Sequence, residues 1–173
     1  MTTLTSVPND FSPGVEMPNE PGKQRRALYL HPGRMFVATE ACSITTILGS
    51  CVAVCLWDPA LQIGGINHYL LPYGGANSAA STRFGNVAIE SLIEEMTKQG
   101  SPKTNLQAKV FGGACMLEPF QTGGNDLGGK NAEVALLMLA RFGIPVIAED
   151  TGGQRGRKLI FNTDDGAAWV RKI

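Results

Sequence analysis

A chain of 173 residues, 43% hydrophobic and 17% charged, can bury one sizeable core and leaves little material for a second domain. Its 15 basic and 15 acidic side chains cancel, so no general field draws it onto phosphates or anionic lipid, and neither nucleic acid nor a membrane surface is an expected partner. No apolar run approaches the roughly 18 residues of a membrane span, and the start MTTLTSVPND lacks the basic and apolar blocks of a secretory signal, which gives the expectation of a cytoplasmic protein.

In chain order, residues 1–26 hold four prolines among few apolar residues and show no helical or strand period, so they are expected to form a flexible tail, with residues 27–173 as a single domain. The segments RMFVAT, SITTIL, CVAVCLW and IGGINHYLL are short, rich in β-branched or aromatic residues and punctuated by glycine or proline, which predicts four strands. Ala88, Ile89, Leu92, Ile93 and Met96 recur at helical spacing and predict an amphipathic helix over 86–99. QAKVFGG reads as a strand entering a glycine turn. Asn131 is placed to cap a second helix through Phe142, with Val134, Leu137 and Arg141 on one stripe and Gly143 at its end. PVIAED, RKLIFN and AAWVRK predict three further strands, joined by TGGQRG and TDDG, both with hairpin-loop chemistry. Strands in runs with two helices point to an α+β sandwich.

The four cysteines, Cys42, Cys51, Cys55 and Cys115, are expected as free thiols. A cysteine hydrolase needs a thiol, an imidazole to take its proton and a third group to hold the imidazole, and the sequence offers two histidines. His31, in LHPG, reads as an exposed turn residue, whereas His68 lies in the apolar segment GGINHYLLP, where it is either a buried structural histidine or an oriented base. Cys51 follows Gly49 and Ser50, a tight entry that suits backbone N–H groups turned toward an oxyanion, although a small buried hydrophobe is the ordinary reading of such a cysteine. Strand alternation puts Cys51, Ala53, Cys55 and Trp57 on one face and Val52, Val54 and Leu56 on the other. Thr45 and Thr46 either hydrogen-bond an imidazole or serve as β-branched strand residues. CxxxC with one histidine is a weak metal pattern, and the glycine clusters lack the residues of a phosphate cradle.

TTILGSCVAVCLWDP, GGINHYLLP, AKVFGGACM and DTGGQRGRKLIF, in that order, together resemble the CheD family of chemoreceptor glutamine deamidases. The resemblance implies a layered α/β sandwich with mixed sheets, similar to bacterial toxin deamidases. It implies Cys51 of the GSC motif as nucleophile, His68 as base, and Thr45, six residues before the cysteine, as the group that orients the imidazole. Ser50 and Gly49 then belong to the oxyanion loop, and no metal or organic cofactor is called for. The expected substrates are methyl-accepting chemotaxis receptors, with a CheC-type phosphatase as a further partner. The other activities compatible with the resemblance are a docking regulator of that phosphatase and a receptor glutamyl methylesterase. The glycine-rich YGGANSAAS segment is a candidate loop for receiving a protein substrate.

Overall fold

The computed structural model describes residues 24–76, 80–115 and 126–173. Nearly all of the expected tail, the middle of YGGANSAAS, and residues 116–125 lie outside the described residues. The strands are β1 (Arg26–Tyr29), β2 (Met35–Ala38), β3 (Cys42–Leu48), β4 (Val52–Asp58), β5 (Ile63–Asn67), β6 (Gln107–Gly112), β7 (Val146–Thr151), β8 (Arg157–Asn162) and β9 (Ala168–Lys172). The helices are α1 (Gly85–Lys98) and α2 (Leu127–Arg141).

Burial patterns match the place of each strand in its sheet. On β3, Cys42, Ile44, Thr46 and Leu48 are buried and the residues between them are not, the period-two pattern of a strand with one covered face. It lies in a four-stranded sheet ordered β1-β3-β8-β9. β4 is buried almost throughout and is central in a five-stranded sheet ordered β2-β5-β4-β6-β7. Parallel β1/β3 and β6/β7 pairs among antiparallel ones make both sheets mixed. The two sheets stack, and α1 and α2 cover the outer face of the five-stranded one, so the fold is an α+β sandwich of three layers.

Two cores result. Val52, Val54 and Leu56 face the helices and pack with Leu92, Ile93, Met96 and Leu139. Ala53 and Cys55 face the other sheet with Ile44, Leu48, Ile66, Leu159 and Phe161, joined at the margin by Cys51 and Trp57. That division is the alternation read from CVAVCLW. The five apolar residues of α1 that the periodicity picks out are all buried, the four larger ones each contributing about 2 kcal/mol by removal from water and Ala88 about 1 kcal/mol.

Several local expectations change. β1 was not anticipated, because RALY has no alternation of its own and is held by parallel pairing to β3. α2 starts at Leu127, not at Asn131: Asp126 is the N-cap and accepts from the Gly129 N–H at 2.9 Å. Both glycines at this start have a steric cause, since a Cβ on Gly128 would collide with the Gly113 carbonyl oxygen and one on Gly129 with the capping Asp126 carboxylate. Leu137 is 55% exposed, so the buried stripe of α2 runs through Val134, Ala135, Met138 and Leu139 instead. TDDG is a hairpin between β8 and β9, but TGGQRG carries the chain from one sheet to the other, because β7 pairs in parallel with β6. Buried Arg157 fixes that crossover, donating from Nη2 to the Gly152 carbonyl (2.6 Å) and from Nε to Asp150 (3.0 Å).

Candidate active site

Cys51 and His68 both stand one step outside regular strand, Cys51 before β4 and His68 after β5. Between them Val52 and Tyr69 form an antiparallel bridge, with N···O distances of 3.1 and 3.0 Å. Continued by one residue each way, that register sets Cys51 opposite Leu70 and His68 opposite Ala53, which are the positions of same-face diagonal neighbours, a relation that in strand pairs spans about 7 Å between Cβ atoms. Cys51 is half-buried at the margin of the inter-sheet core, while His68 is 1% exposed.

His68 is held from three sides. Its N–H donates to the Arg34 carbonyl (2.9 Å), and its carbonyl accepts from the Gly33 N–H (2.7 Å). The ring Nδ1 lies 2.8 Å from the Thr46 hydroxyl. That hydroxyl has one hydrogen, which it donates to the Leu30 carbonyl at 2.8 Å. Toward the imidazole it therefore accepts, which places the ring proton on Nδ1 and a lone pair on Nε2. Nε2 is buried and has no hydrogen-bond partner among the described residues.

Thr46, not Thr45, is the residue brought to the imidazole. The period of β3 sends Thr46 inward with Ile44 and Leu48, and Thr45 outward, in register with Tyr29 and Ile160. The sequence could name the pair of threonines but could not say which of them faces inward, because that depends on which face of β3 packs against the other sheet.

The Gly49–Cys51 turn is clamped by its carbonyls. Gly49 accepts from the Ala114 N–H (2.9 Å), Cys51 from the Gly113 N–H (2.8 Å), and Ser50 from the Asn131 side-chain amide (2.9 Å). In a trans peptide the C=O and the following N–H point in opposite directions, so fixing the Ser50 carbonyl toward α2 aims the Cys51 N–H away from it. No backbone acceptor for that N–H occurs among the described residues. Gly112, at φ +112°, allows this approach, since a Cβ there would overlap the Cys51 carbonyl oxygen.

Asn131 is the residue that sequence reasoning misplaced. It is fully buried, and its amide donates both to Ser50 and to Leu70 at 2.9 Å, tying the Gly49–Cys51 turn to the segment that follows His68. A buried asparagine inside a helix is the one available signal for such a role, and it is the same signal that suggests a cap.

Burial pushes the Cys51 thiol up from its ordinary value, a rise its own N–H partly opposes. Burial pushes His68 down to about 4. At rest the thiol and the imidazole are therefore both neutral. Cys55, on the same strand face, is fully buried and its thiol is pushed up strongly by burial, with Lys109 opposing, as suits an inert structural thiol. His31 is exposed, as expected, and its ring meets Tyr29 edge-on at 5.1 Å.

The His68 shift has a consequence for stability. Its folded value of about 4 lies below the unfolded value of 6.5, so the unfolded chain takes up the proton first as pH falls. Stability from this group is present above pH 6.5 and is lost down to about 4, a total of about 3 kcal/mol. In urea titrations between pH 7 and 4, His68→Gln is expected to lose about 3 kcal/mol less than the wild type. Equal losses would show that the imidazole is not held neutral.

A family model described as CheD chemotactic sensory transduction matches residues 70–172. A protein of Anaeromyxobacter dehalogenans (strain 2CP-C), named probable chemoreceptor glutamine deamidase CheD 1, is 46% identical over 173 residues, covering all of both chains. The chain belongs to the CheD family. Proteins named probable chemoreceptor glutamine deamidase CheD from Trichlorobacter lovleyi and Stenotrophomonas maltophilia (strain K279a) are 43% and 44% identical over 150 residues. Those matches cover 87% of this chain and 92% and 75% of the two relatives. A solved structure, Bacillus licheniformis hypothetical protein YfiH, aligns with a TM-score of 0.43 and 16% identity over 65% of this chain and 48% of that one. The CheD model begins at Leu70, so Cys51 and His68 precede the matched span, while the clamp residues Gly112, Gly113 and Asn131 lie within it.

Proposed function

We propose that this CheD chain is a protein-glutamine glutaminase that hydrolyses glutamine side chains of chemotaxis receptors to glutamate in the cytoplasm, with Cys51 as nucleophile. The observation that carries the reading is the imidazole whose proton is fixed on Nδ1 by Thr46, leaving a bare Nε2 on the face that Cys51 shares. The names of the relatives supply the substrate class.

In this mechanism His68 Nε2 takes the Cys51 proton as the sulfur attacks the carboxamide carbon, so that the ion pair forms only during attack. The Cys51 N–H donates to the tetrahedral oxyanion, held in that direction by the clamp on Ser50. The imidazolium returns its proton to the departing nitrogen, ammonia leaves, and a Cys51 thioester remains. Water, deprotonated by the same Nε2, attacks the thioester. Its collapse releases glutamate, and the proton on Nε2 returns to the Cys51 sulfur.

Leu71 and Tyr73, 37% and 57% exposed and a few residues beyond His68, give the entrance apolar surface on which a receptor helix can rest. A receptor cytoplasmic fragment bearing glutamine at one position, and glutamyl methyl ester in a second preparation, separates the amide from the ester reading. Ammonia release from the first, without methanol from the second, supports the glutaminase; methanol alone overturns it in favour of an esterase.

A further inference from the structure

We propose that Arg83 is a specificity-determining residue that selects glutamines carrying a carboxylate neighbour one helical turn away. The inference rests on the glutaminase reading above and names the local substrate class it would take.

Arg83 stands beside the candidate site on a segment fixed at several points. Its carbonyl accepts from the N–H groups of both Leu70 (2.9 Å) and Leu71 (3.1 Å), and Leu70 is the residue directly across from Cys51. The preceding Thr82 donates from its hydroxyl to the Gly33 carbonyl at 2.6 Å, and the Gly33 N–H in turn holds the carbonyl of His68. The stem of Arg83 lies across Gly33: a Cβ built there would stand 3.0 Å from Arg83 Cγ and 3.6 Å from Leu70 Cδ1. Gly33, at φ +76°, thus makes room for an arginine at the edge of the site.

The charge at its end is unspent. Arg25 and Arg157 have their guanidinium groups engaged by Asp164, Asp165 and Asp150. Among the described residues Arg83 pairs with no carboxylate, and neither does Arg34, whose carbonyl holds the His68 N–H. Two arginines therefore flank the His68–Leu71 segment in a chain whose total charge is zero. An exposed, freely rotating arginine loses side-chain entropy on pairing, which largely cancels its attraction. Arg83 is itself exposed, but its backbone is held by Leu70 and Leu71 and the start of its side chain rests against Gly33, so it loses less on pairing. With Leu71 and Tyr73 nearby, the entrance matches a helix that presents glutamine beside an apolar strip, with glutamate at i−4 or i+4 on the same face.

The test uses two helical receptor peptides with one glutamine each, one with glutamate and one with alanine at those positions. Binding is read by fluorescence anisotropy on Cys51→Ala protein, and ammonia release on the Cys51 enzyme. The Cys51→Ala protein is expected to bind the acidic peptide about fivefold more tightly at low salt, with the preference fading as ionic strength rises. Adding Arg83→Ala should bring the ratio near one, and Arg83→Glu should reverse it. A preference that survives in Arg83→Glu, or none in the first protein, overturns the assignment even if ammonia is released. Binding selectivity that follows Arg83 with no ammonia from either peptide supports this assignment and overturns the glutaminase reading instead.

Discussion

Replacing Cys51 with alanine or serine is expected to lower ammonia release from a receptor fragment by at least about 10⁴-fold. Alanine removes the nucleophile. Serine keeps an atom in place, but its hydroxyl must give up a far less acidic proton to an imidazole that burial has already made a weak base, at about 4. Cys55→Ala is the control: it lies on the same strand face, four residues further along, in the closed core between the sheets. It is expected to keep turnover within a few-fold of wild type, at a stability cost of about 1 kcal/mol for the lost sulfur contacts. Comparable losses in both variants would mean that the strand, and not the thiol, is what catalysis needs.

The second large effect concerns the imidazole and the hydroxyl that orients it. His68→Ala is expected to cost about 10³-fold in kcat. Thr46→Val keeps the shape of the side chain but removes both the acceptor for the Nδ1 proton and the donor to Leu30. The ring is then free to carry its proton on Nε2, where it cannot act as a base, and a fall of about 10²-fold in kcat is expected with KM nearly constant. Thr46→Ser restores the hydroxyl and should recover most of the loss, which a purely packing role would not do. Thr45→Val, on the outer face, should change the rate by no more than about twofold. If Thr45→Val is the damaging substitution and Thr46→Val is silent, the tautomer argument fails.

How far the sequence reached can be followed residue by residue. The alternation in CVAVCLW assigned the faces of β4 correctly because that strand is regular and both of its faces meet a core. The periodicity of α1 did the same for Ala88 through Met96. What stayed hidden depends on contacts between distant segments. Parallel pairing to β3 creates β1 out of an unpatterned RALY, and packing against the Gly113 carbonyl explains Gly128 at the start of α2. The choice between Thr45 and Thr46 turns on which face of β3 meets the other sheet. Asn131 looked like a cap because a local signal cannot show that its amide reaches Ser50 and Leu70, 81 and 61 residues away in sequence. Cys51 and His68 were nameable from their motifs, while the bridge between Val52 and Tyr69 that sets them diagonally on one face is a property of the pairing.

The most direct measurement of the central claim is the intact mass of a cognate receptor cytoplasmic fragment after incubation with this chain and, in parallel, with its Cys51→Ala variant, followed by fragmentation to locate the change. Hydrolysis of an amide through the thioester predicts a gain of about 1 Da at particular glutamines with the wild type and none with the variant. An unchanged receptor mass in both incubations, or the same gain in both, would contradict the assignment of Cys51 as the nucleophile of a receptor glutaminase.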